Sequence, residues 1–158
     1  MATTVVSCAL RHDQAIISHV GDSRCYHVRG GKAVAVTRDH TLVRDHALIK
    51  EQHSLGIIPE AEATRSEIHH ILSRSLGPEG FISADTTTLT LMQGDILVLC
   101  SDGLYGGMYE ENIAQICSQE KDIQEIAEEL VCHAIQVDGS DNATAQVISI
   151  RSVEPLTM

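Results

Sequence analysis

Ile96 to Cys100 is a run of five consecutive apolar residues, introduced by Gln93-Gly94 and stopped by Asp102-Gly103. So short a run between turn residues predicts a strand buried on both faces rather than a helix. Asp-Gly then turns the chain at its end. Thr3 to Leu10 is β-branched and mostly apolar, and Ala15 to Val20 resumes the pattern after Arg11-His12-Asp13 breaks it. Ser23 to Val28 predicts a third strand. Gly30-Gly31 supplies a hairpin turn into a fourth, Lys32 to Thr37, so that the four read as an antiparallel meander. Phe81 to Leu91, with Thr86, Thr87, Thr88 and Thr90, predicts a strand with one wet side. Ala143 to Ile150 predicts the last.

Helical spacing appears in two regions. His40 to Gln52 carries Leu42, Val43, His46, Ala47 and Ile49, Pro59 opens a short helical turn, and Ser66 to Leu72 predicts another. Residues 39–78 therefore read as a flap-like helical excursion over a sheet. Asn112 to Cys117 predicts a short helix. The stretch beginning at Asp122 has a capping residue, Glu125 three positions on, and an inward face of Ile123, Ile126, Ala127, Leu130, Val131, Ala134 and Ile135. Asp138-Gly139-Ser140 ends it. One domain over 1–152, with a tail at 153–158, is expected, of α+β class with antiparallel sheet packed against helices.

Composition narrows the partners more than the chemistry. At 158 residues and 43% hydrophobic the chain can bury a core, and with 3% aromatics that core must be aliphatic. A net charge of −11 argues against nucleic acid and against an acidic membrane surface. Much of the acid falls between Glu110 and Glu129, on helix faces expected to be solvated. Cys8, Cys25, Cys100, Cys117 and Cys132 form no CxxC pair, which points to buried free thiols in a reducing compartment, the cytoplasm. The first residues lack the layout of a signal peptide.

Three loops repeat one design, a β element followed by small residues around an aspartate: Val20-Gly21-Asp22-Ser23-Arg24, Cys100-Ser101-Asp102-Gly103 and Gly139-Ser140-Asp141-Asn142. Carboxylates at strand ends are hard oxygen ligands suited to Mg²⁺ or Mn²⁺ rather than zinc. The same residues are equally ordinary as turn formers whose side chains cap the local backbone. Nine histidines show no zinc-binding spacing and read as scattered surface residues; His40 reads as structural. Cys100 lacks the phosphate-cradling C-x5-R loop of a cysteine phosphatase and reads as packing. Ser23 and Ser101 read as turn formers.

VGDSRCY (20–26), TRDH (37–40), SRSLG (73–77), ILVLCSDGL (96–104) and GSDNATAQVI (139–148) occur in the order and approximate spacing of the metal-dependent protein Ser/Thr phosphatases. The chain resembles this PP2C (PPM) family, its compact bacterial members above all. The resemblance implies an αββα sandwich of two antiparallel sheets flanked by helices. It implies that Asp102 and Asp141 hold a two-metal centre of Mn²⁺ or Mg²⁺, and that Asp22 serves a more weakly held additional metal. Ser101, Gly103, Arg24 and Asn142 match supporting positions. The implied reaction is hydrolysis of phosphoserine or phosphothreonine on a protein by a metal-activated water, with a Ser/Thr kinase as the opposing partner.

One departure bears on activity. Nothing in the chain matches the family's N-terminal RxxNED-like and DGHGG-like segments, which supply further ligands and a phosphate-binding Arg. The chain therefore resembles the C-terminal two-thirds of such a domain. Few carboxylates remain to cluster two cations, so weak metal binding and impaired turnover are expected. An uncovered sheet edge or face is expected to invite self-association. A non-catalytic PP2C-like binding or regulatory module is the alternative.

Overall fold

The structure is a computed structural model, and it describes residues 1–41, 72–77 and 81–154. The expected helices within 42–71 lie outside these residues.

Among the described residues seven strands form two antiparallel sheets. The first has the order β1-β2-β5, from β1 (Val5–Arg11), β2 (Gln14–Val20) and β5 (Asp85–Thr90). The second has the order β4-β3-β6-β7, from β3 (Arg24–Arg29), β4 (Lys32–Ala35), β6 (Ile96–Cys100) and β7 (Ala145–Ser149). The first four strands thus make two hairpins in different sheets rather than one meander. Each hairpin closes over two residues, and Gly30 and Gly31 take φ of 58° and 75° at the second turn, which twists with the strands. Between the hairpins, Gly21 at φ 104° carries the chain from one sheet to the other. A Cβ there would run into the Thr4 side chain.

The alternation hidden in the apolar run of β6 now has a physical reason. Leu97 and Leu99 point between the sheets, where they pack with Ala15, Ile17, Cys25 and Leu91. Val98 and Cys100 point the other way, into a second core with Tyr26, Leu104, Ile113, Ile126 and Leu130. Both faces of the strand are dry, so neither face needs polar residues.

Three helices cover the outer face of the second sheet: α1 (Asp102–Tyr105), α2 (Glu110–Cys117) and α3 (Ile123–Val137). Asp102 does turn the chain, but as the first residue of a helical turn. In α3, Asp122 accepts from the Gln124 N–H at 2.9 Å and Glu125 accepts from the Asp122 N–H at 3.1 Å, so the expected capping box is present. Its inward face is Ile126, Leu130 and Ala134; Ile135, expected inward, is half exposed because one residue past Ala134 is a rotation of about 100° away from the buried stripe. β5 starts only at Asp85, and the preceding Phe81 projects into solvent. Leu72 pairs with Thr41 in a β-bridge and so does not end a helix. All five cysteines are free, but Cys132 is exposed rather than buried. Among the described residues no helix is long and apolar enough to cross a membrane.

Candidate metal centre

The register of the second sheet sets Arg24 opposite Cys100 and Cys100 opposite Ala145. The start of β3, the end of β6 and the start of β7 consequently share one end of the sheet. Asp22 precedes β3, Asp102 follows β6 and Asp141 precedes β7, so the three carboxylates singled out from sequence all leave from that end.

The loops there are in contact. Ser101 donates its N–H to the Thr144 carbonyl at 3.2 Å, and its hydroxyl donates to the Asn142 carbonyl at 3.3 Å while accepting from the Thr144 N–H at 3.0 Å. A Cβ on Gly103 would lie 2.5 Å from the Asn142 carbonyl oxygen, so only glycine lets the two loops approach this closely. Asp102 and Asp141 each accept from the following backbone N–H, at 3.0 and 2.7 Å. Ser101 and Gly103 thus join the two aspartate loops, and Asn142 enters through its backbone.

Asp22 is half-buried beside this junction. Burial first, and then the charges of Asp102 and Asp39, push its carboxyl above the usual range. The charge of Asp102 is thus felt at Asp22, but the three aspartates do not form a closed ligand set: among the described residues, the one group of His, Cys, Asp or Glu side chains with three ligand atoms within 4.8 Å of one another is His19, His40 and Asp85. The chemistry of the donor set, oxygen only, fits a hard divalent ion.

Arg24 does not take that ion's place. Its Nε and Nη2 donate to Asp39 at 2.8 and 2.6 Å, its Nη1 donates to the Tyr26 hydroxyl at 2.9 Å, and its guanidinium carbon lies 3.5 Å from the centre of the Tyr105 ring. Burial disfavours its charge, but the bonds to Asp39 and Tyr26 outweigh burial and hold it protonated. Tyr105 completes the frame by donating its hydroxyl to the Asp22 carbonyl at 2.9 Å. Asp39 and Tyr105 were not singled out from sequence. TRDH does contain Asp39, but its pairing with Arg24 depends on the strand register.

Cys100 sits beneath this end, and burial pushes its thiol up to about 12, which removes it as a nucleophile. His19 departs from the surface placement expected of the histidines, whereas the burial of His40 agrees with its structural reading. His19 and His40 are buried and stacked, with ring centres 4.6 Å apart, and with Asp85 they offer ligand atoms within 4.8 Å of one another. His19 and Asp85 are direct partners in the β2–β5 register, a proximity that no spacing in the sequence reveals.

No family model matches the sequence. Compared with curated proteins, the chain is 32% identical over 148 residues to the serine/threonine phosphatase stp of Listeria innocua. The alignment covers 94% of this chain and 56% of that relative. The solved serine/threonine phosphatase of S. agalactiae superposes with a TM-score of 0.80 at 32% identity, over 96% of this chain and 60% of that one. The chain belongs to the PP2C (PPM) family of protein phosphatases. The catalytic domain of another serine/threonine protein phosphatase, PstP, solved in complex with 2 manganese ions, superposes with a TM-score of 0.70 at 28% identity, over 94% of this chain and 60% of that one. This PP2C-family chain therefore spans little more than half the length of the relatives it matches.

Proposed function

We propose that the chain is part of a metal-dependent protein serine/threonine phosphatase, in which Asp22, Asp102 and Asp141 are carboxylate ligands for Mn²⁺ or Mg²⁺. What supports the reading above all is the shared sheet end from which the three carboxylates project, with the Asp102 and Asp141 loops in contact through Gly103 and Ser101. The raised carboxyl of Asp22 supports it electrostatically, and the manganese in PstP supports it by likeness. Bound cations would supply the Lewis acidity that activates water for attack on phosphorus and offsets the charge that develops. Ser101, Gly103 and Asn142 hold the Asp102 and Asp141 loops together. Arg24, fixed on Asp39 and Tyr105, holds the wall against which Asp22 rests.

The substrate class is phosphoserine or phosphothreonine on proteins, as the relatives' names suggest, and the opposing partner is a Ser/Thr kinase. Five free thiols fit a cytoplasmic setting. Because three carboxylates neutralise two divalent cations incompletely, the isolated chain binds them weakly and turns over slowly.

The test is calorimetric titration of Mn²⁺ into the chain and into Asp102→Asn and Asp141→Asn, alongside hydrolysis of p-nitrophenyl phosphate. Weak binding that both substitutions remove, with turnover far below that of the intact S. agalactiae relative, is expected. Binding untouched by either substitution would overturn the metal assignment, and turnover matching the relative's would overturn the impairment.

A further inference from the structure

Asp85 opens β5 and receives two basic side chains from far-apart positions. Arg74 Nη1 donates to its Oδ1 at 2.8 Å, and Nε2 of His40 lies 3.2 Å from its Oδ2, close but poorly aligned for a hydrogen bond. His40 and Arg74 stand on either side of residues 42–71, and the backbone joins them as well. Thr41 bridges Leu72, and the Ser73 N–H donates to the His40 carbonyl at 2.9 Å. One carboxylate thus gathers the chain where it leaves and where it returns.

His40 carries the connection onward. Its backbone N–H donates to the Gly21 carbonyl at 2.9 Å, and its ring Nδ1 accepts from the Gly21 N–H at 3.2 Å. An Nδ1 that accepts from a backbone N–H has no hydrogen of its own, so the neutral ring must carry its hydrogen on Nε2. Among the described residues, the acceptor facing Nε2 is Asp85. The ring plane is held by stacking on His19, whose Nε2 lies 2.7 Å from the Arg38 carbonyl. The two histidines are thus committed to backbone groups on one side, and Arg74 already holds the carboxylate on the other. That arrangement favours a clamp over a second cation site.

We propose that Asp85 is a positioning residue for Asp22: by fixing the tautomer and orientation of His40 it locks Gly21, and Gly21 sets the direction in which Asp22 leaves the sheet beside Asp102. Gly21 depends on such a hold because a glycine at φ 104° has no side chain of its own to fix its backbone, and the His40 ring and backbone both bond to it. The role assigned to Asp22 rests on the metal reading above; the clamp itself does not.

Nitrogen NMR of the His40 ring and amide exchange at Gly21 test the clamp directly in Asp85→Ala, Asp85→Asn and Arg74→Gln. In Asp85→Ala the Nε2–H signature should be lost. Gly21 should exchange roughly fivefold faster, the factor given by losing one hydrogen bond of about 1 kcal/mol. Asp85→Asn, which keeps an acceptor oxygen, should restore the signature, and Arg74→Gln, altering only the exposed partner, should preserve it. Mn²⁺ affinity should fall in Asp85→Ala by a factor that Asp22→Asn abolishes. An unchanged His40 tautomer in Asp85→Ala would overturn the clamp. A changed tautomer with unchanged Mn²⁺ affinity, in a chain where Asp22→Asn does weaken binding, would overturn the positioning role. If Asp22→Asn leaves Mn²⁺ binding intact, the metal reading of Asp22 fails, and the positioning role with it, while the tautomer still decides the clamp. Stoichiometric zinc binding that shifts both rings would replace the clamp with a metal site.

Discussion

Asp95 is the most heavily committed side chain in the described structure, and it lies at the opposite end of β6 from Asp102. It is 1% exposed, accepts from Arg29 Nε and Nη2 at 2.7 and 2.6 Å and from the Met92 N–H at 2.8 Å, and faces His27 Nε2 at 3.1 Å. The Arg29 guanidinium foremost holds its carboxyl well below the usual carboxylate range. A carboxyl that is more acidic folded than unfolded stabilises fully above its unfolded pKa of about 4 and loses that contribution as pH falls toward the folded value. Asp95→Asn leaves Arg29 and His27 facing a neutral group and is expected to cost about 3 kcal/mol or more in urea denaturation at neutral pH. The difference from wild type should shrink below pH ~4. Two denaturation curves that stay parallel into acid would show that Asp95 contributes nothing through its charge. In the sequence Asp95 follows Gln93-Gly94 and passes for a turn residue. Its partners on β3 lie 66 and 68 positions away, where neither periodicity nor local propensity can find them. The same holds for Asp39 with Arg24 and for Asp85 with His40. Asp22, Asp102 and Asp141 could be proposed from the sequence because each sits in its own local pattern of strand, small residue and acid.

Elements were legible where local chemistry decides them. The capping box of α3 and the Gly-Gly hairpin depend on residues a few positions apart, and both formed as expected. The assignment of β1 to β4 to a single meander failed because a hairpin's register is local while the sheet it joins is not. Gly21 redirects the chain after β2, and no periodicity distinguishes a strand that pairs with its predecessor from one that turns away. The junction of α1 with the loop before β7 has a similar status, since SDG announces a turn but not what the glycine must admit. Gly103→Ala would press a methyl group onto the Asn142 backbone, 2.5 Å from its oxygen and 2.9 Å from its carbonyl carbon. Overpacking against backbone is expected to cost about 1–3 kcal/mol. It should also spread the Asp102 and Asp141 loops, lowering Mn²⁺ affinity more than a core substitution of equal cost such as Val98→Ala. Calorimetry on the two variants at matched stability checks this, and equal affinities would show that the close approach serves folding alone.

At the scale of the molecule, the described helices all lie on one of the two sheets. Among the described residues none lies on the outer face of β1-β2-β5, where Val5, Ala9 and Ile16 alternate with Ser7, Ser18, Thr86, Thr88 and Thr90. That face is too polar to bind strongly by burial, but β1 is also an edge, and its seven residues carry one charge, Arg11. An edge with so little charge can pair antiparallel with the same edge of a second copy, an arrangement closed by a two-fold axis. The net charge of −11 on each copy opposes such contact at long range. The expected outcome in sedimentation velocity is therefore weak association that grows with concentration and, against the usual trend for polar contacts, with added salt, as the repulsion is screened. Leu10→Pro, which removes an N–H that the Arg11–Gln14 register turns away from β2, and Val5→Lys, which charges the edge, should each reduce it. A monomer whose sedimentation is indifferent to both concentration and salt would show that twist or the neighbouring chain already protects the edge. Dimers insensitive to both substitutions would move the contact to another surface.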